Sequence, residues 1–246
     1  MKHLKLFSLF IIATFMLASC GSVKKATKGT VADADDGWVV LFDGTNTDNF
    51  RAYGKETFPE KGWIIEDGAL KVNGSGKGEA GGGGGDIIAK KKYRNFELSL
   101  EWKVSEGGNS GIFYLAQEIP NNAIYMSSPE MQILDNEKHP DAKLGKDGNR
   151  QAGSLYDLIP AVPQNAKPVG EWNQVNITVF KGTVIHNMNG ENVLEYHLWT
   201  DQWKDMCANS KFKDWPNFID TAVEGYIGLQ DHGDDVWFRN IKIKEL

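Results

Sequence analysis

Four polar side chains in this sequence stand in pairs two residues apart, Glu130 with Gln132 in segment 129–135 and Gln230 with His232 in segment 228–233. In extended backbone alternate side chains share a face, so Met131, Ile133 and Leu229 point to a core while both polar pairs project from the opposite side. A carboxylate and an imidazole can take up and return protons, and carboxamides offer paired donors and acceptors. Trp237, Arg239 and Asn240 follow closely, so acid, amide, imidazole, guanidinium and aromatic groups are expected to converge on one concave sheet. That mixture suits sugar rings, which have apolar faces and hydroxyl edges. Asp135 is a further acid, but its parity turns it away from Glu130 unless the strand is bulged.

The elements that must hold these groups read as strands. Phe96, Leu98, Leu100, Trp102 and Val104 alternate with polar residues over 96–104, a half-buried strand and not a helical stripe. Asp67-Gly68 and Asn189-Gly190 sit between apolar runs and predict tight hairpins. Residues 172–197 read as a three-stranded meander, 153–157 as a short strand carrying Tyr156, and 226–232 and 236–243 as a closing hairpin. One short helix is expected near 201–210, where Trp203, Met206, Cys207 and Ser210 recur at helical spacing. Cys207 reads as a buried small hydrophobe, and His186 and His197 as ordinary surface or half-buried histidines with no catalytic role. About a dozen strands and almost no helix make the fold class all-β, a sandwich.

The ends of the chain have another use. Lys2 and Lys5 precede an apolar run over 6–18 that closes on Leu17-Ala18-Ser19-Cys20, the pattern of an exported leader. The segment resembles a lipoprotein signal over 1–19, which implies a lipid anchor on Cys20. Residues 20–35 form a polar tether and 36–246 a single domain. Cys207 is then the only other cysteine, so the core and not a disulfide must hold the fold. The chain carries 33 acidic against 27 basic side chains, a poor balance for nucleic-acid binding. The glycine-rich stretch 74–85 lacks the Gly-Lys-Ser/Thr ending of a phosphate loop and reads as a mobile connection. The long polar connection 136–151 reads as functional or mobile.

Six ordered motifs carry a resemblance. They are Leu41-Phe42-Asp43-Gly44-Thr45, Tyr93-Arg94-Asn95-Phe96-Glu97-Leu98, Gly108-Asn109-Ser110-Gly111-Ile112, the segment 130–135, Ser210-Lys211-Phe212, and 228–233 with Phe238-Arg239-Asn240-Ile241. Over 36–246 the chain resembles the 3-keto-disaccharide hydrolase domain, common among Bacteroidetes lipoproteins. The resemblance implies a concanavalin A-like jelly roll with a ligand site on its concave sheet, in a cell-envelope protein facing the periplasm or the surface. It implies cleavage of glycosides oxidised at sugar carbon 3. A ketone there acidifies the carbon-2 hydrogen, so a base can form an enolate that expels the aglycone from carbon 1, after which water adds. His232 or Glu130 can be the base, with Asp135 assisting either step. Arg239, Gln132, Gln230 or a divalent metal ion can stabilise the enolate. Asn109, Tyr156 and Trp237 complete the expected substrate-binding set. No ligand spacing demands a metal.

Two other functions use the same fold. Jelly-roll glucanases carry a Glu-x-Asp-x-x-Glu signature, from which segment 130–135 departs at its middle and last acids. A glycan-binding module would need the aromatic groups but no acid or base, and the charge of this cluster exceeds that need.

Overall fold

A computed structural model describes residues 36–76 and 83–246. The expected leader, the Cys20 anchor and the tether lie outside the described residues, as do residues 77–82 of the glycine-rich stretch. The described residues belong to one compact unit.

Thirteen strands build two antiparallel sheets. The larger runs β11 (Glu191–His197), β10 (Thr183–Met188), β9 (Asn173–Phe180), β6 (Phe96–Val104), β13 (Val236–Glu245), β4 (Ala69–Val72) and β3 (Trp63–Glu66), with β1 (Trp38–Phe42) also paired to β13. The smaller runs β2 (Phe50–Ala52), β5 (Ile87–Tyr93), β12 (Gly225–Leu229), β7 (Asn109–Ala116) and β8 (Glu130–Leu134). This is a jelly-roll sandwich of the concanavalin A-like kind. The alternation read for 96–104 is the observed one: Phe96, Leu98, Leu100, Trp102 and Val104 are all buried in the core between the sheets. The expected tight turns have positive φ at both central residues, Asp67 and Gly68 (49° and 75°) and Asn189 and Gly190 (52° and 90°), the twist that matches a hairpin. Helix α1 (Asp201–Ala208) starts where Thr200 accepts the Trp203 amide and buries Trp203 and Cys207. Burial pushes the Cys207 thiol up to about 12, as its reading as a small hydrophobe requires. A second helix, α2 (Pro216–Ile219), follows.

Two expectations need correction. The closing strands are not a hairpin, because β12 belongs to the smaller sheet and β13 to the larger, and residues 230–235 carry the chain between the two sheets. Residues 153–157 are not a full strand. Leu155 makes isolated bridges to Met131 and Ile159, while Gly153 N–H and Tyr156 N–H donate to Gln132 and Glu130 carbonyls at 2.8 and 3.0 Å. This short pairing covers the open edge of β8 and brings Tyr156 beside Glu130.

The sheets are tied across the core by one polar chain. His186 on β10 has Nδ1 3.0 Å from the Gly153 carbonyl and Nε2 2.8 Å from the Tyr114 hydroxyl on β7, which lies 2.7 Å from the Tyr196 hydroxyl on β11. A neutral ring with its proton on Nδ1 satisfies every contact: it donates to Gly153, and Tyr196 O–H donates to Tyr114, whose O–H donates to Nε2. His186 is thus fully buried between the sheets and not the surface or half-buried ring the sequence suggested, and burial lowers its pKa to about 4.

Candidate active site

The outward face of the smaller sheet carries the site. Parity along β8 sends Met131 and Ile133 into the core and Glu130 and Gln132 to the other side, as the sequence implied. On neighbouring β7, Asn109 and Gly111 share that outward face, with Gly111 paired to Gln132. Gly111 is small for a reason: a Cβ there would stand 1.9 Å from Glu130 Oε1 and 2.6 Å from its carboxyl carbon. Only a glycine lets the carboxylate lie flat on the sheet. Gln230 and His232 enter from the end of β12.

These groups line a pocket of about 300 Å³ together with Tyr125, Ser128, Tyr156, Lys211, Phe212, Trp215 and Phe218. The wall opposite the sheet is aromatic. Phe212 stacks on Phe218 at 4.1 Å between centroids and meets Trp215 at 5.2 Å, and Trp215 meets Tyr125 at 5.7 Å. The floor is polar and buried, with Glu130 7% exposed and Gln132 1%. Gln132 Oε1, Asn109 Oδ1 and His232 Nδ1 are buried with no hydrogen-bond partner among the described residues. A buried acceptor left unpaired costs about 1–3 kcal/mol. Three around one pocket mark where a hydroxyl-rich ligand would donate.

Lys211 closes one side, its Nζ 3.9 Å from the Tyr156 ring centroid. The residue as a whole is exposed. Its ammonium end is nonetheless desolvated by the pocket wall, which pushes its pKa below the ordinary lysine value against the attraction of Asp157, Glu130 and Asp141. The Tyr156 hydroxyl donates to Asp141 at 2.8 Å, and burial together with that carboxylate raises its pKa. Arg150 pairs with both Asp141 and Asp157. This network fixes the long connection 136–151 against the pocket, so its expected functional part is positional.

Just outside the pocket lining, His139 from that connection reaches His232. Their ring centroids are 6.1 Å apart and nearly perpendicular. Asp234 lies with them, its Oδ2 3.9 Å from His232 Nδ1 and accepting the Asn109 amide at 3.1 Å. Burial raises the Asp234 pKa and, with help from His232, lowers that of His139.

Of the residues singled out in the sequence, Glu130, Gln132, Gln230, His232, Asn109 and Tyr156 are brought together, whereas Asp135, Trp237 and Arg239 are not. Asp135 points away, as its parity indicated. Burial opposes its ionisation, but amides of Gly107, Glu137 and Lys138 at 2.7–3.2 Å outweigh that and hold its pKa low. It is a loop cap. Arg239 and Trp237 are on β13 in the other sheet, where Arg239 donates twice to Glu101 (2.8 and 2.6 Å) and Trp237 Nε1 to Glu66 (2.7 Å). Neither lines the pocket. Sequence reasoning passed over Lys211, the aromatic wall, His139 and Asp234. The motif Ser210-Lys211-Phe212 was the available signal for the first two.

A buried polar floor facing an aromatic wall on a jelly-roll sheet defines a carbohydrate-type site. The profile of the 3-keto-alpha-glucoside-1,2-lyase-like domain matches residues 37–244, and the chain belongs to that family. A Bacteroides thetaiotaomicron protein named 3-keto-disaccharide hydrolase is 59% identical over 230 residues, covering 86% of this chain and 79% of its own. A solved structure from Parabacteroides distasonis, described as a candidate glycosyl hydrolase, is 29% identical with a TM-score of 0.74, covering 85% of this chain and 94% of its own. A Bacillus subtilis protein with a galectin-like fold shares the fold alone, at 12% identity and TM-score 0.51 over 80% of this chain and 90% of its own.

Proposed function

We propose that this domain cleaves the glycosidic bond of glycosides carrying a ketone at sugar carbon 3, by elimination followed by hydration. The observation that carries this reading is a single carboxylate: among the described residues lining the pocket, Glu130 is the only one. Conventional glycoside hydrolysis uses two carboxyls across the scissile bond, about 5 Å apart for retention and about 6.5–9.5 Å for inversion. One carboxylate with an ammonium and several amides suits a different reaction. Glu130 takes the proton from carbon 2, and the carbon-2 electron pair delocalises into the ketone as an enolate. Amide donors of Gln132 and Gln230 and the ring N–H of His232 bind the oxygens. The enolate then expels the carbon-1 oxygen, to which Lys211 gives its proton. Water adds at carbon 1 and a proton returns to carbon 2, giving the free 3-keto sugar and the aglycone alcohol. The name of the Bacteroides relative supports the substrate class. Turnover of a 3-keto-glucoside but not of its unoxidised parent by the purified protein is the expected result. Equal turnover of the parent would return the site to ordinary hydrolysis.

We also infer that the protein is exported and held to a membrane through lipid on Cys20. Substituting Cys20→Ser should move it from the membrane to the soluble envelope fraction, and a membrane-bound variant would exclude this anchor.

A further inference from the structure

We infer that Tyr156 is a positioning residue for Lys211, its ring face a rest that holds the ammonium where the leaving oxygen departs. The inference rests on the keto-sugar reading above, in which Lys211 protonates that oxygen. Lys211 is a long, exposed side chain on the connection between α1 and α2, and an unheld lysine samples many rotamers. A proton donor spread over them would rarely stand beside the carbon-1 oxygen. Its Nζ lies 3.9 Å from the Tyr156 ring centroid and 5.2 Å from that of its chain neighbour Phe212. A cation on a ring face is worth a factor of about 2–30 in the population of the held rotamer.

The rest is itself fixed from three sides. The Tyr156 N–H donates to the Glu130 carbonyl at 3.0 Å, so the ring stands against the strand that carries the proposed base. Its hydroxyl donates to Asp141 at 2.8 Å. Arg150, paired with Asp141, places its guanidinium carbon 5.5 Å from the ring centroid. One tyrosine thus sets the spacing between base and acid. Desolvation and the Arg150 charge also lower the Lys211 pKa against the pull of Asp157, Glu130 and Asp141, which favours release of its proton nearer neutrality. In that step the bond from carbon 1 to oxygen breaks and its electron pair goes to the leaving oxygen. The oxygen takes the Lys211 proton, leaving a neutral amine that regains a proton from water.

Two measurements test this. In full-length protein whose lysines are methylated with ¹³C, which keeps their charge, a methyl over a ring face is shielded. The Lys211 signal, assigned by its loss in Lys211→Met, should lie upfield in the parent and in Tyr156→Phe, and move downfield in Tyr156→Leu. The second measurement compares 3-keto-glucosides with a sugar or a nitrophenol as leaving group, because nitrophenolate departs without a proton. The ratio of kcat on the first to kcat on the second should fall at least ~100-fold in Lys211→Met. It should fall about tenfold in Tyr156→Leu, and no further when Tyr156→Leu is added to Lys211→Met. Tyr156→Phe, which keeps the ring, should recover most of the ratio. Melting curves keep the comparison to folded variants, and Tyr156→Met replaces Tyr156→Leu if the latter does not fold. An unshielded Lys211 signal in the parent, or a Tyr156→Leu loss equal on both substrates or undiminished without Lys211, would overturn the inference. A ring-dependent Lys211 signal with no cleavage of either substrate would leave the contact standing and count against the keto-sugar reading.

Discussion

His186 and His232 occupy opposite kinds of site. His186 sits between the sheets with both ring nitrogens engaged, to Gly153 and Tyr114, and every member of its chain can be satisfied by one arrangement of protons. His232 sits on the outer face of the smaller sheet, half-buried, with Nδ1 unpaired and facing a carboxylate. The first ring stabilises a fold and the second is held ready for a ligand. Beside the difference in burial, the two differ in hydrogen-bond satisfaction and not in residue type: a closed polar network rigidifies a core, while an open one costs stability that only a ligand returns.

The sharpest way to break this contrast is to disable one region without the other. Glu130→Gln is isosteric and should cut turnover of a 3-keto-glucoside at least ~100-fold, the usual contribution of a general base, while its melting temperature stays near that of the parent. Steady-state kinetics beside a melt would show this, and an effect of only a few-fold would remove Glu130 from the mechanism. Gly111→Ala should lower turnover as well, because the new methyl takes the space of the Glu130 carboxylate.

In the core the effects are on stability. His186→Ala should cost about 3 kcal/mol in denaturant unfolding, combining a cavity with unpaired groups on Tyr114 and Gly153. The same ring makes stability depend on pH. Its native pKa near 4 lies below the unfolded value of about 6.5, so its contribution is complete above pH 6.5. It is lost as pH falls toward 4, by up to about 3 kcal/mol. A His186→Gln variant should lose that slope. Smallest of the set, His232→Gln should change stability by less than about 1 kcal/mol, because the ring has no internal hydrogen bond to forfeit; a loss as large as that of His186→Ala would dissolve the distinction.

Legibility in the sequence followed how local the cause was. The alternation in 96–104, the Asp-Gly and Asn-Gly turns and the parity of Glu130 and Gln132 are local properties, and the structure has them where the sequence implied. Strand β5 carries no alternation in the sequence because Ile87, Ile88 and Ala89 are all buried, covered on both faces by the main core and by a small cluster with Phe113 and Ile124. Residues 230–235 looked like a hairpin turn because sequence proximity favours pairing, but nothing local states that the next strand joins the other sheet. That single crossing removed Arg239 and Trp237 from the site. His139 arrives on a connection braced by the ion pairs of Arg150 with Asp141 and Asp157, and Asp234 and Lys211 arrive on other connections between elements; no spacing rule reveals them.

The central claim is that Glu130 removes the carbon-2 proton of a 3-keto glycoside before the aglycone leaves. Cleavage carried out in D₂O, with an enzyme-free control for spontaneous exchange, tests it directly. Elimination and hydration predict one deuterium at carbon 2 for each bond cleaved, with both label and cleavage lost in Glu130→Gln. Release of the aglycone from a product that keeps its original hydrogen at carbon 2 would contradict the account.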